Sequence, residues 1–257
     1  IAAATFETQE GIFITDADER IVRVNQAFTA MTGYTARDAV GQTPRILRSG
    51  RHGPEFYRRL REGLARDGFW RGEMWNRRKN GEIFVEWVTI STVRDRLGRV
   101  THYVAAFSDI TEHKKAEEQI HQLAFYDPLT HLPNRRLFHD RFEQALAASA
   151  RSGSRGALVF LDLDGFKGLN DSRGHVVGDQ LLTEVARRLS LCVRESDTVA
   201  RLGGDEFVVI LEDLDDGEQA ATAHADRVAE KLRAVLGQPY LLASSEGGEA
   251  VTHRCTA

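Results

Sequence analysis

Two short stretches place acids where a folded chain rarely leaves them idle. The first, Asp162-Leu163-Asp164-Gly165-Phe166-Lys167, follows directly on the apolar run Ala157-Leu158-Val159-Phe160-Leu161. Such a run predicts a strand buried on both faces. Carboxylates at the end of a buried strand are costly to desolvate unless something neutralises them. Hard oxygen donors suit a divalent cation such as Mg²⁺ or Mn²⁺. An Asx-type turn with its carboxylates in water accounts for the same residues, and the stretch alone leaves both readings open. The second stretch is Gly203-Gly204-Asp205-Glu206, between the strand-like runs Val199-Ala200-Arg201-Leu202 and Phe207-Val208-Val209-Ile210-Leu211. Two glycines permit a tight turn with positive φ and leave no Cβ in the way of a ligand. Gly-Gly-Asp alone would make an ordinary β-turn. Glu206, placed just ahead of an apolar strand, adds a second carboxylate to a hairpin tip of bare backbone.

The surrounding pattern supplies elements to hold these acids. Asn134 opens a helical stretch with Phe138, Phe142, Ala145 and Leu146 on one face, broken by Gly153 and Gly156. Asp179 has the type of an N-cap ahead of Leu181, Leu182, Val185, Ala186 and Leu189, which step along one helical face. The first 111 residues read differently. Ile12-Phe13-Ile14 and Ile21-Val22-Arg23-Val24 are strand-like, with a turn at Asp16–Arg20. Asn25 is placed to cap a short helix carrying Phe28 and Met31, and Pro54 to Asp67 has helical spacing in Phe56, Leu60 and Leu64, stopped by Gly68. Strands Phe69 to Arg77 and Glu82 to Thr92 join at Asn80-Gly81, a hairpin signal, and Thr101 to Ser108 is the last strand. Residues 112–124 lack Gly and Pro and read as a linker helix. Ala116, Ile120 and Leu123 step by four and three, a seam suited to a parallel coiled coil, although a solvated helix fits as well.

Arg201-Leu202-Gly203-Gly204-Asp205-Glu206-Phe207 resembles the GGDEF domain of diguanylate cyclases. Asp127-Pro128-Leu129-Thr130, Leu132-Pro133-Asn134-Arg135, the Asp162 stretch, Asn170-Asp171 and Gly174-His175-Val176-Val177-Gly178-Asp179 match the same family in order, over residues 125–257. His131 stands where the family usually has glycine. The resemblance implies condensation of two GTP molecules to cyclic di-GMP with release of pyrophosphate. It implies that Asp162, the carbonyl of Leu163, Asp205 and Glu206 hold the metal, with Asp205 also accepting a proton. Backbone N–H groups of Gly165 and Phe166, with Lys167, would cradle phosphates, and Gly203 and Gly204 would let the nucleotide lie against the hairpin. Asn170 and Asp179 would read the guanine edge. His175 would lie near the substrate or fix its own loop. Arg194 and Asp197, with five residues between Asp197 and Gly203, match the family's product-inhibition site for cyclic di-GMP. Each subunit would bind one GTP, so a homodimer is part of the implied mechanism.

The first module resembles a PAS sensor domain, carried by Ile12-Phe13-Ile14-Thr15-Asp16, Val24-Asn25-Gln26-Ala27-Phe28, Met31-Thr32-Gly33-Tyr34 and Asp109-Ile110-Thr111, over residues 1–111. That resemblance implies a five-stranded antiparallel sheet with helices and a ligand pocket or dimerising face. Gly41-Gln42-Thr43-Pro44-Arg45-Ile46-Leu47 is similar to the flavin segment of light-sensing relatives, but Pro44 replaces the cysteine that forms the adduct. A haem would need an axial ligand, and only His52 and His102 are available there. Trp70, Trp75 and Trp87 read either as cofactor-lining or as strand aromatics. The expected whole is an α/β (α+β) chain: PAS sheet, linker helix, then a nucleotide-cyclase-like sheet flanked by helices.

Composition excludes other classes. The 257 residues carry 34 Lys plus Arg against 38 Asp plus Glu, a formal charge of −4, which argues against binding nucleic acid by bulk charge. Cys192 and Cys255 make no disulfide framework, so a reducing, cytoplasmic setting is expected. The chain starts at Ile1 and is expected to be part of a longer polypeptide. A membrane anchor outside it stays open, and a further core strand and phosphate-gripping basic residues are expected beyond Ala257. Three function classes fit the chain: a sensor-controlled cyclase, a GTP- or cyclic di-GMP-binding module governing a downstream EAL phosphodiesterase domain, and a scaffold without turnover. None of the acids at 162, 205 and 206 is lost, which disfavours the third.

Overall fold

The computed structural model describes residues 6, 8–214, 217–242 and 251–253. The chain divides into two compact units, Ile1–Glu117 and Glu118–Ala257. In the first, strands β1 (Gly11–Asp16), β2 (Ile21–Val24), β3 (Phe69–Arg77), β4 (Ile83–Arg94) and β5 (Val100–Asp109) form one antiparallel sheet in the order β2-β1-β5-β4-β3. Helices α1 (Gln26–Thr32), α2 (Ala36–Ala39) and α3 (Pro54–Asp67) are inserted between β2 and β3. Asn25 caps α1 as its position predicts. Its Oδ1 accepts from the Phe28 and Ile12 amides, both at 2.8 Å, and its Nδ2 donates to the carbonyls of Phe6 and Glu10. One buried amide thereby ties the chain start, β1 and α1 together. Phe13, Phe28 and Phe107 pack edge-on behind it. A Cβ on Gly11 would lie 2.4 Å from the Phe107 ring, so the strand can approach only as glycine. Gly68 ends α3 at φ 78°.

Helix α4 (Thr111–Phe125) follows β5, and its Ile120 and Leu123 are exposed. The second unit holds α5 (Arg135–Ser152), β6 (Arg155–Asp162), α6 (Phe166–Arg173), α7 (His175–Cys192), β7 (Thr198–Gly203), β8 (Glu206–Leu214) and α8 (Glu218–Leu236), then the short pair β9 (Tyr240–Leu242) and β10 (Val251–His253). Its antiparallel sheet runs β6-β8-β7. The face predicted for α7 is the buried one: Leu181, Leu182, Val185, Ala186 and Leu189 join Phe207, Val209 and Leu211 in one core.

Two readings are corrected. Strand β6 is not buried on both faces. It is an edge of the described sheet, and its side chains alternate: Leu161 enters the core, while Phe160 is 66% exposed. An apolar run records side-chain type, and the pleat then sends every second residue to the uncovered face. Helix α5 begins at its Asn134 cap as expected, with Phe138, Phe142 and Ala145 half-buried and Leu146 exposed. Asp179 does not cap α7. The cap is Gly174 (φ 84°), five residues earlier, and the helix already includes His175. Cys255 and the chain end lie outside the described residues.

Candidate functional site

The hairpin β7–β8 turns through Gly203 (φ 146°) and Gly204 (φ 53°), conformations that exclude most L residues. Its register sets Gly203 opposite Glu206, and the β6–β8 register sets Asp162 opposite Glu206. Directly paired residues of antiparallel strands have Cα atoms about 4.5–5.5 Å apart. The carboxylates of Asp162 and Glu206 therefore issue from one end of the sheet, with Asp205 in the turn beside them. Asp162 and Glu206 are exposed and Asp205 half-buried. Among the described residues, no three His, Cys, Asp or Glu side chains gather closely enough to hold an ion unaided. The donors fit Mg²⁺ in chemistry, hard oxygens in an open arrangement, and leave part of the coordination shell to other oxygens.

The hairpin tip is braced from behind. Arg201 donates from Nη1 to Asp127 Oδ1 and Oδ2 at 2.9 and 3.1 Å, and from Nε and Nη2 to the Gly204 carbonyl at 3.0 and 2.7 Å. Asp127 Oδ1 also accepts from the Thr130 amide and hydroxyl. Burial alone would raise the Asp127 pKa, but the Thr130 and Arg201 hydrogen bonds outweigh it and hold the carboxyl below its usual range. Arg135 reaches the Leu202 carbonyl and lies 3.6 Å from Glu206. Sequence reasoning missed Arg201 and Asp127 as positioning residues. Their signal was present: an arginine two residues before the glycine pair, and an acid in a Pro-containing loop.

After Asp162 the chain turns through the buried Leu163 and through Gly165 (φ 78°) into α6. No side chain caps that helix. The Phe166 amide donates to the Leu163 carbonyl at 3.3 Å, so the expected phosphate donor and the expected metal-ligating carbonyl already meet each other. The carbonyl keeps a second lone pair, and the Phe166 bond is long. Lys167 is exposed. Asn170 packs on the backbone of Gly178: a Cβ there would come within 2.0 Å of Asn170 Oδ1, a buried oxygen with no partner among the described residues. Since Asp179 is the next residue, α6 and α7 bring Asn170 and Asp179 to one neighbourhood. Asp179 lines an open cleft of about 700 Å³ with Leu129, Val176 and Leu241. His175 is the exposed first residue of α7.

Arg194 and Asp197 sit away from the hairpin tip, in the turn between α7 and β7. Asp197 Oδ2 accepts from the Arg194 amide at 2.9 Å and its Oδ1 from the Glu212 amide at 3.3 Å, so this carboxylate fixes the turn. The Arg194 guanidinium opens onto a cleft of about 340 Å³ that Arg227 and Lys231 of α8 also line, two cations the sequence reading did not single out.

The first unit contains a cavity of about 500 Å³ between its sheet and α3. Neither His52 nor His102 lines it, and His52 Nε2 accepts from the Trp75 amide at 2.8 Å. A haem with a histidine ligand does not fit. Trp70, Trp75 and Trp87 also lie outside the lining, so the strand-aromatic reading of them holds.

One unit is thus an antiparallel five-stranded sheet beside a partly open cavity, and the other carries a glycine hairpin bearing acids beside a second acidic strand end. Residues 9–112 match the PAS domain family, and residues 124–246 match the family described as diguanylate cyclase, GGDEF domain. The chain belongs to the proteins that carry a PAS domain followed by a GGDEF domain. It is 44% identical over 157 residues to the bifunctional diguanylate cyclase/cyclic di-GMP phosphodiesterase MucR of Pseudomonas aeruginosa, a match covering 61% of this chain and 21% of that protein. It is 36% identical over 248 residues to an uncharacterised signalling protein of Caulobacter vibrioides, covering 93% and 29%. The GGDEF domain structure of TpbB from Pseudomonas aeruginosa is 41% identical, covers 51% of this chain and 70% of that one, and superposes with a TM-score of 0.45. The chain spans 16 to 21% of the length of the first curated relatives. Among the described residues, no helix is long and apolar enough to cross a membrane.

Proposed function

We propose that this chain is the sensor and catalytic portion of a diguanylate cyclase. The observation that carries the reading is the register that sets Asp162 opposite Glu206 beside the Gly203-Gly204 turn. Two GTP molecules bind, one to each copy of the chain, with their 3′-oxygens facing. Asp205 takes the 3′-hydroxyl proton, the freed oxygen attacks the α-phosphorus of the opposite nucleotide, and the bond to the bridging oxygen breaks to release pyrophosphate. A second round in the other direction closes the ring. Asp162, the Leu163 carbonyl, Asp205 and Glu206 would hold Mg²⁺, which neutralises triphosphate charge. Lys167 and the uncapped start of α6 meet phosphate oxygens. Asn170 and Asp179 select guanine, because an aspartate accepts from the N1–H and amino group that only guanine presents together.

The exposed Ile120 and Leu123 of α4 favour pairing with a second copy, which the two-site reaction requires. Residues 1–111 then serve as sensor, 112–124 as connecting helix and 125–257 as output domain. Arg194, with Arg227 and Lys231, offers a cationic cleft for the anionic product, separate from the hairpin tip. The test is incubation with GTP and Mg²⁺ and chromatography for cyclic di-GMP. Product from the wild-type chain and none from Asp205→Ala supports the proposal. Product that persists in Asp205→Ala removes Asp205 from the reaction. GTP binding without product transfers the chain to the regulatory reading, in which a downstream EAL domain is the output.

A further inference from the structure

Asp162 and Glu206 do not face the α7 core. They are a register pair, as are Phe160 with Val208 and Leu158 with Ile210. The pleat sets these six residues on one face of the sheet, whereas Leu161, Phe207, Val209 and Leu211 on the other face join the α7 core. Helix α5 runs along the acid-bearing face. Its Arg141 Nη1 donates to the hydroxyl of Thr198, the register partner of Ile210, at 3.3 Å. Its first residue, Arg135, thereby reaches the acids. Arg135 Nε donates to the Leu202 carbonyl at 3.4 Å, and its Nη2 lies 3.6 Å from Glu206 Oε2.

Arg135 is distinguished by the donors it leaves unused. Nearby arginines are committed: Arg201 bonds Asp127 and the Gly204 carbonyl, and Arg136 lies over the Phe125 ring. A guanidinium carries five N–H donors in a planar fork. Arg135 commits one of them, over a long bond, and its Nη1 and Nη2 groups make no hydrogen bond among the described residues. The side chain is 71% exposed and that of Glu206 57%, and an ion pair so open to water contributes little to stability. Packing and stability therefore do not account for a cation at this spot.

We propose that Arg135 is a further catalytic residue of the cyclase: its Nη groups hold the non-bridging oxygens of the α-phosphate under attack, which belongs to the nucleotide of the opposite copy. The inference rests on the proposed reaction. There the 3′-hydroxyl gives its proton to Asp205 and its oxygen forms a bond to that α-phosphorus. The bond to the bridging oxygen breaks, and pyrophosphate leaves with the electron pair. The attacked phosphorus must come within about 3–3.5 Å of an oxygen that Asp205 can reach. Asp205 adjoins Glu206, the residue Arg135 approaches. The copy's own triphosphate tail lies apart from this point, at Lys167 and the start of α6. Negative charge spreads over the equatorial oxygens as the phosphoryl group passes, and a planar two-pronged donor matches two of them. Arg135 keeps its proton throughout.

The intact chain and its Arg135→Ala and Arg135→Lys variants are assayed for cyclic di-GMP from GTP and Mg²⁺. Loss of one positioned donor at a developing charge costs about a hundred- to a thousandfold in rate. Arg135→Ala should therefore lose about a hundredfold in kcat, with KM for GTP within about threefold, because the contact forms only during the reaction. Its melting temperature should stay near that of wild type. Arg135→Lys keeps the charge without the fork and should recover about tenfold of the loss. GTP with sulfur in place of a non-bridging α-oxygen supplies a readout that a purely structural role would not move. Sulfur accepts hydrogen bonds weakly, so the substitution should slow the wild-type chain more than Arg135→Ala. If Arg135→Ala melts early, Arg135→Lys and the sulfur comparison decide. Wild-type kcat in Arg135→Ala, a loss confined to KM, or an equal sulfur effect in both chains would each overturn the proposal and leave the cyclase reading standing. A wild-type chain that forms no product removes that reading and this inference together.

Discussion

Replacing Arg201 with alanine removes four hydrogen bonds and one counter-ion at once. The guanidinium is 11% exposed and Asp127 16%, so water screens the pair only partly. Hydrogen bonds to charged groups contribute about 1.5–3 kcal/mol each, and they do not sum when they share a side chain. Breaking one side of a fully buried pair costs about 3–5 kcal/mol. Discounting for residual exposure gives an expected loss of about 2–4 kcal/mol from the GGDEF domain. The Gly204 carbonyl also loses its brace, and a shift of about 1 Å in a reacting group can cost on the order of a hundredfold in rate. Turnover of GTP should therefore fall about a hundredfold, with a smaller change in KM. Urea unfolding followed by far-ultraviolet circular dichroism measures the stability loss. A double-mutant cycle with Asp127→Ala should give a coupling of about 1.5–3 kcal/mol. A coupling below about 0.5 kcal/mol, or an Arg201→Ala chain with wild-type turnover, would refute the bracing argument.

The buried Glu86 predicts a pH dependence of the PAS domain. Its carboxyl titrates near 4.5 when unfolded and near 8 when folded, so the folded state holds the extra proton between those values. Stability should fall as pH rises from about 4.5 to 8 and level off above, at up to about 1.4 kcal/mol per pH unit; the three tryptophans, all in this domain, report it, and Glu86→Gln should flatten the slope. Gly178→Ala places a Cβ 2.0 Å from Asn170 Oδ1, so Asn170 must move. The expected result is a loss of about 1–3 kcal/mol and a higher KM for GTP, measured by thermal melts and initial rates. His131 has φ 57°, a left-handed conformation costing a non-glycine residue about 1–2 kcal/mol. His131→Gly relieves that strain but gains chain entropy on unfolding, so its melting temperature should stay near or slightly above that of wild type.

Local patterns were legible where one residue type has one physical use. Asn25 and Asn134 cap because their short side-chain oxygens accept from the first helix amides, and Gly68 stops a helix and Gly81 turns a hairpin because few other residues adopt positive φ. The α7 core face followed from its spacing. Burial of β6 was not legible, since an apolar run does not say how many strands and layers lie beside it. The cap of α7 was missed because Gly174 offers no side chain to recognise, whereas Asp179 has a capping side chain in the helix interior. The candidate acids were visible as types and order. Their convergence depends on a β6–β8 register that joins residues 44 positions apart, which no local pattern encodes. The Arg201–Asp127 brace was hidden for the same reason, as was the hydrogen-bonded pair Asn76 and Glu86, whose alternation with neighbouring apolar residues looks like an ordinary strand.

The central claim is that Asp162 at the end of β6 and Asp205 in the β7–β8 turn serve one metal beside one nucleotide. Electron paramagnetic resonance of Mn²⁺ with a non-reactive GTP analogue counts bound ions directly. Asp162→Ala and Asp205→Ala should each reduce Mn²⁺ affinity by tenfold or more while tryptophan and circular dichroism melts stay near wild type. Undiminished binding in either single variant would contradict the shared site.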